Sequence, residues 1–178
     1  MIPFKSILLV LMIVVGSGCS DGNQDPVTQK RNPEKEKESL VKVNKYLLEK
    51  DKDIIENYVD RRGWEMDISE AGLWYMIYEE GKGPKVNEED FVTIGYSISL
   101  LDGTICYDSD ESGPKQFRVG AGGVEAGLEE GIRLLREGDK ARFILPPHLA
   151  YGLIGDENKI PARSVIVYDL EVLDVSRE

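Results

Sequence analysis

VEAGLEEGIRLLREGDKARFILPPHLAYG, residues Val124 to Gly152, changes its hydrophobic period partway along. Leu128, Ile132 and Leu135 recur at the spacing of one helix face. Gly138 and Asp139 then supply a turn. After the turn, Ala141, Phe143 and Leu145 alternate with Arg142 and Ile144, the pattern of a strand. The stretch closes on a loop ending in Ala150-Tyr151-Gly152. A short helix laid across a sheet, with a tyrosine-bearing loop at the edge, is a layout for an apolar cleft.

On both sides of this stretch the chain reads as strands. Leu73 to Tyr78 is rich in aromatic and β-branched residues. Phe91 to Leu101 alternates strictly: Val92, Ile94, Tyr96, Ile98 and Leu100 face one way, and Thr93, Gly95, Ser97 and Ser99 the other. Asp102-Gly103 is a hairpin turn, and Thr104 to Asp108 returns as a second strand. A polar loop to Pro114, a short strand Gln116 to Val119 and a glycine-rich turn, Gly120 to Gly123, lead into the quoted stretch. In the final strand, Ser164 to Leu173, the uncharged set Ile166, Tyr168, Leu170 and Val172 is the expected buried face. Residues 72–178 are therefore predicted to be an α+β domain, an antiparallel sheet with one helix.

The chain has 178 residues, room for one domain plus appendages. It is 41% hydrophobic and 31% charged, ordinary for a globular protein. Its net charge of −11 and the lack of any basic stripe argue against a nucleic-acid partner. Lys5, the apolar run Ile7 to Val15 and the small residues before Cys19 read as a secretory leader over residues 1–18. The run is too short for a spanning helix. The cysteine after the small residues resembles a bacterial lipobox, with Cys19 lipidated and Gly16 in place of the usual larger aliphatic residue; an ordinary leader is the other reading. Lipidation of Cys19 leaves Cys106 without an intramolecular partner. The stretch to Pro33 carries one apolar aliphatic residue, Val27, and reads as a flexible tether.

Residues 34–71 form an arm and a connector. Leu40, Val43, Leu47, Ile54 and Tyr58 give an amphipathic helical pattern, interrupted by Asn44 and Asp51, so one long helix or two shorter ones fit. Arg61-Arg62-Gly63 is a stop signal. The arm either packs on its own domain, or dimerises or grips a client.

Little in the chain suggests bond-making chemistry. There is no Gly-x-Ser-x-Gly, and the one histidine, His148, reads as structural. Glu129-Glu130 read as a solvated helix face, and Asp108 to Glu111 lack the ordered spacing of a calcium loop. No metal or cofactor is implied. What remains is an aromatic cleft or plain core packing around Tyr96, Phe117, Tyr151 and Tyr168, with Val124, Leu128 and Ile160 as aliphatic partners.

Residues 72–175 resemble the FKBP-type peptidyl-prolyl cis-trans isomerases. The resemblance rests on the strand bearing Tyr96, Leu101-Asp102-Gly103-Thr104, Gly127-Leu128-Glu129-Glu130-Gly131, Glu137-Gly138-Asp139-Lys140, Ala150-Tyr151-Gly152, Ile160-Pro161 and Tyr168-Asp169-Leu170-Glu171. The lipobox, tether and arm also look like the gliding-motility-associated isomerase lipoproteins of Bacteroidetes. The family implies a twisted antiparallel half-barrel wrapping one short helix, and binding of proline-containing polypeptide clients. Its pocket positions fall on Tyr96, Phe117, Val124, Tyr151, Ile160 and Tyr168, with Leu128 as the floor. The Glu125 amide and the Tyr151 hydroxyl match donors to a peptide carbonyl.

The chain departs from the family at three places. Cys106 stands where the pocket aromatic belongs, unless one extra residue, as in a bulge, returns Tyr107, Asp108 and Ser109 to the Phe-Asp-Ser roles; the bulge recovers three matches at once. Glu125 replaces an apolar residue, and Lys115 stands where another aromatic is frequent. The expectation is a lipid-anchored prolyl isomerase of the cell envelope, at the outer membrane facing the periplasm. The alternative is a non-catalytic chaperone or scaffold of an envelope machine, such as gliding or secretion, with dimerisation through the arm left open.

Overall fold

The computed structural model describes residues 33–177, so the leader, the tether and Cys19 lie outside the described residues. Helix α1 (Pro33–Asp60) is a single helix running through Asn44 and Asp51 without a break. Asp51 interrupts the apolar stripe because both its carboxylate oxygens accept from the Arg163 guanidinium at 2.8 Å. Gly63 takes the left-handed conformation (φ 64°) three residues beyond the helix, as the stop signal requires. The Arg62 guanidinium lies 3.5 Å from the centre of the Tyr58 ring.

The strands are β1 (Asp67–Ile68), β2 (Trp74–Glu79), β3 (Phe91–Leu100), β4 (Ile105–Asp108), β5 (Lys115–Arg118), β6 (Lys140–Leu145) and β7 (Ile166–Ser176). They form one antiparallel sheet in the order β1-β2-β6-β7-β3-β4, with β5 also on β3. β4 takes the carboxyl-terminal half of β3 and β5 its amino-terminal half. Between them the chain makes a one-turn helix, α2 (Ser109–Ser112), where the sequence reads as a polar loop. The connector after α1 likewise holds a short strand, β1.

Helix α3 (Ala126–Ile132) crosses one face of the sheet. Its glycines set how close it comes. A methyl at Gly127 would stand 2.6 Å from Leu145 Cγ, and one at Gly131 would stand 2.5 Å from Phe143 Cε2. Spaced four apart, the two glycines turn a bare stripe of helix onto β6, so Leu128 and Ile132 bury completely between helix and sheet. Asp139 follows as a buried clamp, accepting from the Gly81 and Arg136 amides at 2.6 and 2.7 Å.

The opposite face of the sheet is covered as well. Ile55, Tyr58 and Val59 of α1 pack on Trp74, Ile144, Val165 and Val167. Single-face burial, expected from the alternation of the last strand, therefore fails at Val165 and Val167, because α1 seals the outer face there. The arm packs on its own domain through its carboxyl-terminal half. Its amino-terminal half leaves Leu40, Val41, Val43 and Tyr46 exposed, and Leu48 just beyond them is exposed too.

Candidate binding cleft

The β3–β4 ladder settles the register of the disputed segment. Ile98 pairs with Tyr107 and Ser97 with Asp108, but Ser99 pairs with Ile105, so Cys106 is the extra residue of a bulge. The Cys106 side chain is buried in the core. Its free thiol is pushed above its ordinary range by burial and then by the Asp156 charge. Tyr107 packs against the main core and donates its hydroxyl to Asp156. Asp156 organises the loop ahead of Ile160, accepting from the amides of Ile160 (2.7 Å) and Asn158 (2.9 Å). Sequence reading passed over this aspartate, although Gly155-Asp156-Glu157-Asn158 carries the signature of an Asx turn.

Asp108 stands at the head of α2. Its carboxylate caps α2 by accepting from the Asp110 amide at 2.7 Å. It lines a shallow depression with Gly95, Tyr96, Ser97 and Asp169. In the β3–β4 register Asp108 stands opposite Ser97, on the strand face away from Ile98.

The remaining predicted apolar residues belong to the main core or pack against it. Phe117, Leu128, Ile160 and Tyr168 belong to one buried cluster, and Tyr96, Tyr107, Val124 and Tyr151 pack on its rim. The Tyr96 and Tyr168 rings lie 6.1 Å apart in tilted contact. Tyr151 follows the 3-10 turn Pro147–Leu149 and is fixed by the Gly152 amide, which donates to Pro147 O at 2.7 Å. His148 donates to Ala71 O at 3.0 Å, a structural tie. The glycine turn is held from α3, where the Glu129 carboxylate accepts from the Gly120 and Gly122 amides at 2.9 and 3.2 Å. The solvated-face reading of Glu129 is thus replaced by a loop anchor that sets Val124 and Glu125 at the cleft.

The Glu125 side chain turns into the cleft. Its carboxylate is 6% exposed and accepts from the Tyr151 hydroxyl and, at 3.0 Å, from the Tyr168 hydroxyl. The Lys115 ammonium stands 3.8 Å from the same carboxylate and 3.2 Å from the Tyr168 oxygen. It also lies 4.9 Å from the Tyr96 ring centre. Burial, then the hydrogen bond and charge of Glu125, hold the Tyr151 phenol well above its ordinary 10.0. Burial and then the Glu125 charge do the same for Tyr168. Both hydroxyls therefore stay protonated and able to donate at neutral pH. Among the described residues, no group of three or more His, Cys, Asp or Glu side chains is placed to hold a metal ion.

The cluster brings together two tilted tyrosine rings, apolar side chains and two phenol hydroxyls that donate to one carboxylate. The sequence profile of the FKBP-type peptidyl-prolyl cis-trans isomerases matches residues 83–173. FkpA of Escherichia coli K12, an isomerase of that type, is 36% identical over 127 residues, covering 71% of this chain and 45% of that protein. A probable FKBP-type isomerase of Haemophilus influenzae is 34% identical over 116 residues, covering 65% of this chain and 47% of its own. The chain thus spans about half the length of the curated relatives it matches. The crystal structure of AtFKBP13 superposes with a TM-score of 0.61 at 29% identity, over 64% of this chain and all of that one. The crystal structure of Escherichia coli FkpA superposes at 0.59 and 30% identity, over 83% and 74%.

Proposed function

Because this chain belongs to the FKBP-type peptidyl-prolyl cis-trans isomerase family, we propose that its cleft isomerises Xaa-Pro bonds in exported polypeptides at the bacterial cell envelope. The observation that carries the reading is that Phe117, Leu128, Ile160 and Tyr168 share one apolar cluster, with Tyr96, Val124 and Tyr151 packed against it.

Rotation about a peptide bond breaks amide resonance and costs about 18–20 kcal/mol uncatalysed. No bond is made or cleaved, so a nucleophile is not needed. An apolar cleft favours the twisted amide, which has lost the charge separation of the planar one. Rate is gained to the extent that this preference exceeds binding of the ground state. The Tyr151 hydroxyl and the Glu125 amide serve as donors to peptide carbonyls. Leu128 forms the floor, and Tyr96 and Tyr168 flank the proline ring. Tyr107 supports the wall through Asp156, and lipid on Cys19 holds the protein at the membrane.

A protease-coupled proline-peptide assay on residues 20–178 tests the reading. A rate above the thermal one is expected. Its absence in a preparation folded by circular dichroism would overturn the proposal.

The second reading, a non-catalytic chaperone or scaffold, is favoured by the Glu125 carboxylate, which already takes the Tyr151 hydroxyl. The exposed half of α1 would then grip a client or a second copy. That reading predicts suppression of client aggregation without dependence on proline. Loss of the suppression in Tyr151→Phe alone would count against it.

A further inference from the structure

Lys115 and Glu125 form an ion pair among the tyrosines of the candidate cleft. Lys115, on β5, lays its ammonium near the aromatic walls, 4.9 Å from the Tyr96 ring centre and 5.7 Å from that of Tyr168. Glu125, ahead of α3, is the nearly buried partner, holding the hydroxyls of Tyr151 and Tyr168. Together they stand in for a ligand: a cation against the rings and an acceptor on the hydroxyl that would otherwise take a carbonyl.

The two members differ in freedom. Lys115 is 26% exposed and ends a long flexible stem, so it can swing into solvent when a proline ring enters. Glu125 sits directly before α3 with a 6% exposed side chain, and it stays. On entry the peptide carbonyl takes the Tyr151 hydroxyl. The carboxylate then loses one donor and its cation at once, and keeps only Tyr168. A buried carboxylate stripped of its cation is costly unless the incoming chain supplies another.

The residue best placed to supply it is the one before the proline, whose carbonyl docks on the hydroxyl Glu125 had held. Resting on the isomerase reading above, we propose that Glu125 makes this cleft selective for Xaa-Pro segments whose Xaa is lysine or arginine. Leucine at Xaa leaves the carboxylate uncompensated, and glutamate opposes it.

Peptides differing only at Xaa (Lys, Leu or Glu before the proline) test this by titration followed by NMR, and by isomerisation rate, with residues 20–178. Binding and kcat/KM are expected to fall in the order Lys, Leu, Glu, with about a tenfold spread between the ends, the scale of one like-charge against one opposite-charge contact. Glu125→Gln removes the charge and keeps one acceptor oxygen, which serves one of the two tyrosines, so the spread should close to near onefold. Lys115→Met removes the internal cation, so the Lys peptide should bind more tightly, the Glu peptide should gain nothing, and the spread should widen with its order kept. Unchanged near-ultraviolet circular dichroism establishes that each variant is folded.

A flat series in the wild-type protein, or a spread that survives Glu125→Gln, would overturn the selectivity. The binding order is read without catalysis. Charge-ordered binding with no isomerisation would therefore support this inference while removing the isomerase reading. Isomerisation with no charge order would do the reverse.

Discussion

Tyr168 carries its hydroxyl on a fully buried ring and donates it to Glu125 at 3.0 Å. Tyr151 donates to the other carboxylate oxygen from the loop across the cleft. Because both phenols titrate above their ordinary 10.0, the fold favours the protonated forms. Their stabilising share is complete below pH 10 and is lost as the pH rises beyond it. Urea midpoints of the wild-type protein should therefore drop above about pH 10, and Tyr168→Phe should flatten that drop. The same substitution leaves the buried carboxylate one donor short and should cost about 1–2 kcal/mol at neutral pH. The residue types at this cleft were legible in the sequence, Glu125 and Lys115 standing out as departures from an apolar pattern. Their joining with Tyr151 and Tyr168 in one network was not, since the four come from β5, the start of α3, a loop and β7. No local spacing relates them.

Arg163 links two elements that the sequence kept apart. It adopts a left-handed backbone conformation (φ 56°), unusual for a residue with a side chain. Its amide donates to Gly152 O at 3.1 Å and its guanidinium grips Asp51 of α1. One residue thus ties the arm to the loop bearing Tyr151. Arg163→Ala leaves Asp51 nearly buried without its cation. It should cost roughly 1–3 kcal/mol, less than for a fully enclosed pair because the arginine is partly exposed. Amide hydrogen exchange should quicken through the second half of α1. An unchanged exchange pattern would show that the apolar contacts alone hold the helix. Asp51 is legible as a polar break in an apolar stripe, but its meaning depends on a residue more than a hundred positions away. Strand and helix identities were recoverable because their periods are local. The exceptions were β1 and α2, two and four residues long, which are too short to express a period.

Across the whole molecule, α1 and α3 lie on opposite faces of the sheet, and only α3 takes part in the cleft. Ile55, Tyr58 and Val59 seal Trp74, Ile144, Val165 and Val167 against solvent. Burial of a large apolar side chain contributes about 1.5–3 kcal/mol, so this contact carries several kcal/mol of stability. A chain beginning at Gly63 should melt well below one beginning at Tyr46, measured by thermal circular dichroism. The chain beginning at Tyr46 should match residues 20–178 closely, because the helix before it is exposed. Equal melting of the two truncated chains would show that α1 adds no stability.

The sequence by itself determined the α+β class, the main strands along the chain and the short helix over the sheet. Alternation and helical spacing record which side of each element is dry, and that record is local. Tertiary structure decided which contacts those faces make. It placed Cys106 in a bulge, turned Asp108 out to cap α2, and covered the outer sheet face with α1. It also brought a carboxylate, an ammonium and two phenols from distant segments into one enclosed cluster. Ion pairs and hydrogen bonds form by proximity in space, and a one-residue shift in register reverses the face a side chain occupies.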